Sequence, residues 1–175
     1  MRLRLPIALG FVVSLLVAAA CGGDADAGPA PGDYFAQLQR VSETAHIQER
    51  GLRRDLRVRL EEAPPGEERL GAATVYLDQG ARLYRDIVDA LGALDPPEEL
   101  TSPQQAFLEA WRSQLDLIVA VRDGGFRTAD RILRQVESDP FSDAWAETRA
   151  ACDALQEAVA AAGSDADLVC DGRLS

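Results

Sequence analysis

The chain has 175 residues and a formal charge of −11, from 29 Asp and Glu against 18 basic side chains, every one of them Arg. So acidic a chain is repelled by nucleic acid and by anionic head groups, and the lack of Lys excludes Schiff-base and lysine-nucleophile chemistry. Its length fits one domain with enough chain for a real core.

Residues 1–20 read as a secretory signal. Arg2 and Arg4 give a basic start, Ile7 to Val17 form an apolar run too short to span a bilayer, and small residues follow at Ala18-Ala19-Ala20. Cys21 comes next and is expected to be the lipid-modified first residue of the mature chain, an anchor on the extracytoplasmic face of the cell membrane. Ala18 and Ala20 also suit ordinary signal peptidase, which would leave a soluble secreted product. Cysteine parity favours the anchor: of three cysteines, only Cys152 and Cys170 remain after Cys21, and lipidation accounts for the odd one. Removing residues 1–20 takes away Arg2 and Arg4 and no acid, which moves the formal charge to about −13. In an oxidising compartment Cys152 and Cys170 are expected to pair as a disulfide, the alternative being two buried thiols.

Residues 21–32, rich in Gly, Ala, Asp and Pro, make a flexible tether with nothing to bury. It can reach roughly 35 Å, enough to hold the domain of residues 33–175 clear of the membrane.

From Asp33 onward the apolar positions recur at three and four, which predicts an all-α domain. The first helix is expected from Asp33 to about Glu62, striped by Leu38, Val41, Ala45, Leu52, Leu56 and Leu60, with a polar middle reading HIQERG. The second runs from about Glu67 to Leu94 and ends at Asp95-Pro96-Pro97. The third has a capping signature, Ser102-Pro103-Gln104-Gln105, and should run to Asp123. A short helix is expected from about Phe126 to Glu137. The last spans Asp139 to about Ala162 and stops at Gly163. Four long helices and one short one, joined by brief turns, predict an antiparallel up-down bundle. Cys152 lies about 15 Å back from the end of the last helix, and the extended residues after Gly163 can retrace that distance, making the tail a strap with Leu168 and Val169 packed on the bundle.

The segment ALDPPEEL, together with the ending AACDALQEAVAAAGSDADLVC, resembles a group of helical lipoproteins from high-GC bacteria. In that group a late cysteine on the final helix precedes a short acidic tail ending in a second cysteine. The resemblance covers about the last half of the chain and implies a shared helical fold and no known activity.

Candidate sites are few. Glu43 and His46 have the Glu-x-x-His spacing of carboxylate-bridged metal bundles, but a di-metal site needs a second such pair and the chain has one His. His46 is therefore read as an exposed side chain and no metal site or cofactor is expected. With one imidazole and no Gly-x-Ser-x-Gly elbow, no hydrolytic triad can be assembled, and no catalytic residue is assigned. The paired acids Glu61-Glu62, Glu67-Glu68 and Glu98-Glu99 fall at helix ends, where acids solvate and cap.

His46, Arg50, Arg53, Arg54 and Arg57, at steps of three and four, share one face of the first helix in an otherwise acidic domain. That face is a candidate for binding an acidic partner or an anion; the alternative is a solvated face laced by Glu49 with Arg53 and Arg57 with Glu61. Gly51 and Gly80 interrupt helix interiors, which suggests close helix approach or room for a small ligand. Trp111, Trp145, Tyr76 and Tyr84 read as core or core-edge residues. The expected function is non-enzymatic binding, to an envelope protein met at the membrane; the alternative is a small-ligand carrier or sensor with a pocket between helices. A cavity lined by Trp111 and Trp145 would favour the carrier, and an exposed apolar or Arg-rich patch the partner-binding module.

Overall fold

The computed structural model describes residues 31–170, and it is all-helical over that range. The signal segment, Cys21 and most of the tether lie outside the described residues. The helices are α1 (Pro31–Glu62), α2 (Glu67–Gly92), α3 (Thr101–Asp123), α4 (Ala129–Val136) and α5 (Asp139–Ala161), with a 3₁₀ turn over Glu98–Leu100. They pack as an antiparallel bundle, as the periodicity predicts.

The expected boundaries hold to within about three residues, but two helix starts are built differently from expectation. Ser102 does not cap α3: the 3₁₀ turn runs straight into the helix, and no side chain caps its first turn. Phe126 is not helical either, because Gly124-Gly125 leads into extended chain and α4 opens only after Thr128. The end of α5 follows expectation closely. Gly163 adopts φ +78°, and the Gly163 and Ser164 amides donate to the Ala160 and Val159 carbonyls, closing the last turn.

α2 packs against α1 and α3, α3 packs against α5, and α4 closes the space against α2 and α3. One core runs through the bundle, with Leu38, Leu77, Leu91, Leu100, Ile118, Leu155 and Val159 fully enclosed. Gly80 has a packing reason: a Cβ there would collide with Ile118 Cδ1 and touch Leu52. Gly51 has none, since a Cβ there meets nothing within 4 Å.

α1 and α5, the first and last helices, do not close on each other along their backbones as the neighbouring pairs do. Side chains and the tail fill that seam instead. The tail after Gly163 has no regular structure, yet its polar backbone groups find partners. Gln156 donates to the Ala166 carbonyl at 3.0 Å and accepts from the Leu168 amide at 2.6 Å. Ser42 on α1 accepts from the Val169 amide at 2.7 Å. Cys152 and Cys170 are joined in a disulfide with a Cα–Cα distance of 5.4 Å. The tail is thus the strap the cysteine spacing predicts, with Leu168 buried and Val169 half-buried. It is covalently tied to α5 and hydrogen-bonded to α1.

Candidate functional site

The inward side of α1 is less apolar than its stripe suggests. Leu38 and Ala45 are buried, but so are Ser42 and Glu49, while Val41, Leu52, Leu56 and Leu60 are only half-buried. Glu49 is 4% exposed, and its Oε1 accepts from Arg53 Nε at 2.8 Å and pairs with Arg53 Nη2 at 2.6 Å. The Arg53 guanidinium lies over the Trp145 ring, 4.8 Å from its centre, a cation–π contact. Trp145 meets Trp111 and Tyr84 edge-on, and Trp111 in turn meets Phe107. This aromatic cluster, with the ion pair laid across it, joins α1 to α5 where their backbones stand apart.

Burial sets the electrostatics here. Loss of solvent pushes the Glu49 carboxyl above its ordinary value, and the Arg53 charge and hydrogen bond only partly restore the ionised form. Burial works against the Arg53 charge, but the Glu49 carboxylate and its hydrogen bond outweigh it, with help from Tyr84 and Tyr76, and leave the guanidinium above its ordinary value. Burial raises the Tyr84 phenol well above its ordinary value and raises that of Tyr76 too.

Beside the cluster, a cavity of about 30 Å³ lies in the α1–α5 seam. Ile87, Leu91, Phe107, Trp111 and Trp145 form its apolar wall, Cys152, Val169 and Cys170 close it from the tail side, and His46, Glu49, Thr148 and Arg149 supply polar groups. Trp111 Nε1 and Arg149 Nε are buried and have no hydrogen-bond partner. Next to the cavity, buried Gln114 donates to Thr148 Oγ1 at 3.4 Å, and Thr148 donates to the Ala144 carbonyl.

The outward side of α1 carries the rest of the basic stripe. Arg50, Arg54 and Arg57 are exposed and His46 is half-buried, whereas Arg53 turns in to Glu49 and Trp145. Glu49 with Arg53 is a pair the spacing predicts, but Arg57 makes no ion pair with Glu61 within 4.0 Å. Arg54 approaches Asp55 only at 3.9 Å, and Arg50 Nη1 donates to His46 Nε2 at 3.3 Å. Since a guanidinium cannot accept, that bond requires an unprotonated His46 Nε2.

Two apolar residues share this stripe. Ile47 is 69% exposed and Val58 44%, and at 100° per residue they fall on the same outward arc as Arg50, Arg54 and Arg57. Between His46 and Val58 that arc carries no acid. The signal was available in the break of period, because Ile47 and Val58 both stand off the buried stripe.

Glu43 accepts from Gln39 at 2.8 Å and His46 accepts from Arg50. No group of three or more His, Cys, Asp or Glu positioned to hold a metal occurs among the described residues, and no described helix is long and apolar enough to cross a membrane. No protein family, curated protein or solved structure matches the chain.

Proposed function

We propose that the protein is an extracytoplasmic, lipid-anchored interaction module without catalytic activity, which meets an acidic envelope partner through the outward face of α1. The observation that carries this reading is the composition of that face. Ile47 and Val58 are two of the three large hydrophobic side chains left exposed among the described residues, and they border Arg50, Arg54 and Arg57 on the same face. An apolar side chain so open to water gains from being covered. A cationic stripe on a domain of about −13 formal charge presents a local potential opposite to its surroundings, which orients an acidic partner.

With Cys21 bearing the lipid, α1, which begins at Pro31, is the helix that follows the tether in the chain. The basic amino terminus, the apolar run and cysteine parity support export and lipidation. The likeness to helical lipoproteins of high-GC bacteria agrees with this setting and rests on the residues quoted for it.

Site-specific photo-crosslinking in the producing cell tests the reading. A photoreactive side chain at Ile47 or Val58 should give the same discrete membrane-dependent adduct, and one at exposed Glu157 on α5 should not. Equal labelling from all three positions, or none from α1, would count against an α1 contact surface.

A further inference from the structure

We infer that the exposed side of α1 docks onto the same side of a second copy of this chain, antiparallel and about a two-fold axis at Gly51. The inference goes beyond the reading of α1 as the contact for an acidic partner and does not depend on it.

The exposed side chains single out one line along α1. Ile47, Val58 and Val75, the three large hydrophobic side chains exposed among the described residues, all belong to the α1–α2 hairpin. Gly51 stands between Ile47 and Val58 in the chain. A Cβ there would meet nothing within 4 Å, so a glycine in the middle of this long helix has no packing reason inside the chain. Facing outward, it lets another backbone come close. At about 100° per residue, Arg40, Thr44, Ile47, Asp55, Val58 and Glu62 all fall within roughly 40° of Gly51, and all six are exposed.

This line complements itself only when reversed. A parallel pair would set Arg40 against Arg40, Asp55 against Asp55 and Glu62 against Glu62. An antiparallel pair about Gly51 sets Arg40 level with Glu62, and Thr44 level with Val58, of the second copy, because each such pair lies equally far to either side of Gly51. Neither Arg40 nor Glu62 makes an ion pair within the chain among the described residues. The two-fold also keeps each edge of α1 on its own side. On one edge Ile47 then lies between Val58 and the Arg54 stem of the second copy, and Glu43 comes within about 3 Å of Arg57 along the axis. On the other edge Gln48 comes level with Asp55. Every contact occurs twice, as a closed two-fold interface requires. Arg50 and Arg54 of both copies fall on one edge, a doubled basic strip for an acidic partner; that consequence alone rests on the partner reading. A two-fold perpendicular to α1 also sets the Pro31 ends of both copies at one height, so two tethers can reach one membrane.

Disulfide trapping of the full-length protein in membranes of the producing cell tests the inference. Two copies of Gly51→Cys meet at the axis, so mild oxidation should link them into a species of twice the monomer mass, at least about tenfold more abundant than with Glu157→Cys on α5. Arg40→Cys should not link to itself, because the two positions stand about 33 Å apart, but should link to coexpressed Glu62→Cys. In the Gly51→Cys background, Arg40→Glu and Glu62→Arg should each cut the linked fraction roughly fivefold, and the two together should restore it. Equal trapping with Glu157→Cys, self-linking of Arg40→Cys, no restoration by the charge exchange, or no linked species would each overturn the inference. The linked species contains this chain alone, so the outcome is read independently of any acidic partner, and either assignment can fail without the other.

Discussion

Ser42 and Val169, 127 positions apart, exchange two hydrogen bonds: the Val169 amide donates to Ser42 Oγ at 2.7 Å, and the Ser42 hydroxyl lies 3.3 Å from the Val169 carbonyl, to which it donates. One hydroxyl on α1 thus does for the tail what a neighbouring strand does for an extended chain. The disulfide at the next residue ties the same segment to α5. The seam that the helix backbones leave open is therefore closed by the tail segment that ends at Cys170.

Removing the bond in the double variant C152S/C170S should lower stability by about 3 kcal/mol, the loop-closure value for a cross-link of this span. Ser42→Ala should cost about 1 to 2 kcal/mol, since it leaves the Val169 amide without its partner. Denaturant unfolding at equilibrium measures both. A loss under about 0.5 kcal/mol in each would show that the tail does not brace the seam.

The two mid-helix glycines should respond oppositely to alanine. Gly51→Ala meets open space and should stabilise α1 by up to about 1 kcal/mol through helix propensity. Gly80→Ala drives a Cβ into Ile118, itself fully buried, and should destabilise by roughly 1 to 3 kcal/mol before any propensity gain is counted. Thermal melting of the two variants side by side checks the signs.

Helix number, helix ends and the disulfide were legible because each has a local signature: a 3.6-residue period, a Pro or Gly stop, a parity of cysteines. The seam was not. That Ser42 and Glu49 are buried while Ile47 is exposed depends on α5 standing away from α1, and the helical period alone cannot report the distance to a non-neighbouring helix. Likewise the turn of Arg53 away from the basic stripe needs Trp145, nearly a hundred residues later, as the surface it covers. The spacing of Glu49 and Arg53 was readable; the fact that their pair is buried was not. At α3, Ser102-Pro103 looked like a cap, but the preceding 3₁₀ turn already continued the backbone into the helix.

Glu49 should leave a mark on the pH dependence of stability. Its carboxyl is pushed up by burial in the folded protein, so folding takes up a proton relative to the unfolded chain in the window just above the ordinary Glu value of 4.5. The contribution is fully present below that value and is lost as the pH rises through the folded one. Relative to Glu49→Gln, the wild type should gain stability as the pH falls from neutrality toward 4.5. Chemical denaturation of both at several pH values measures the difference, and a gap that is constant with pH would mean that Arg53 fully compensates the burial.

On the proposed anchoring at Cys21, Cys21→Ser should release the protein from the membrane fraction or leave the precursor unprocessed. Intact-mass analysis of the mature wild type should give an amino terminus at lipid-bearing Cys21. An unmodified amino terminus there would leave simple secretion as the reading.

The α1 face is tested most directly by capture of the photo-crosslinked partner, purified, on the membrane-anchored protein and on its R50E/R54E/R57E variant. These arginines are exposed and make no strong ion pairs, so their reversal should leave the helical signal and the melting transition essentially unchanged. Capture by the wild type should weaken as salt rises, because charges at this surface are screened beyond roughly 8 Å at physiological ionic strength, and the triple reversal should reduce it at least about tenfold. Capture by the variant equal to that of the wild type, with little dependence on salt, would contradict the account and leave the outward stripe of α1 as a solvated helix face.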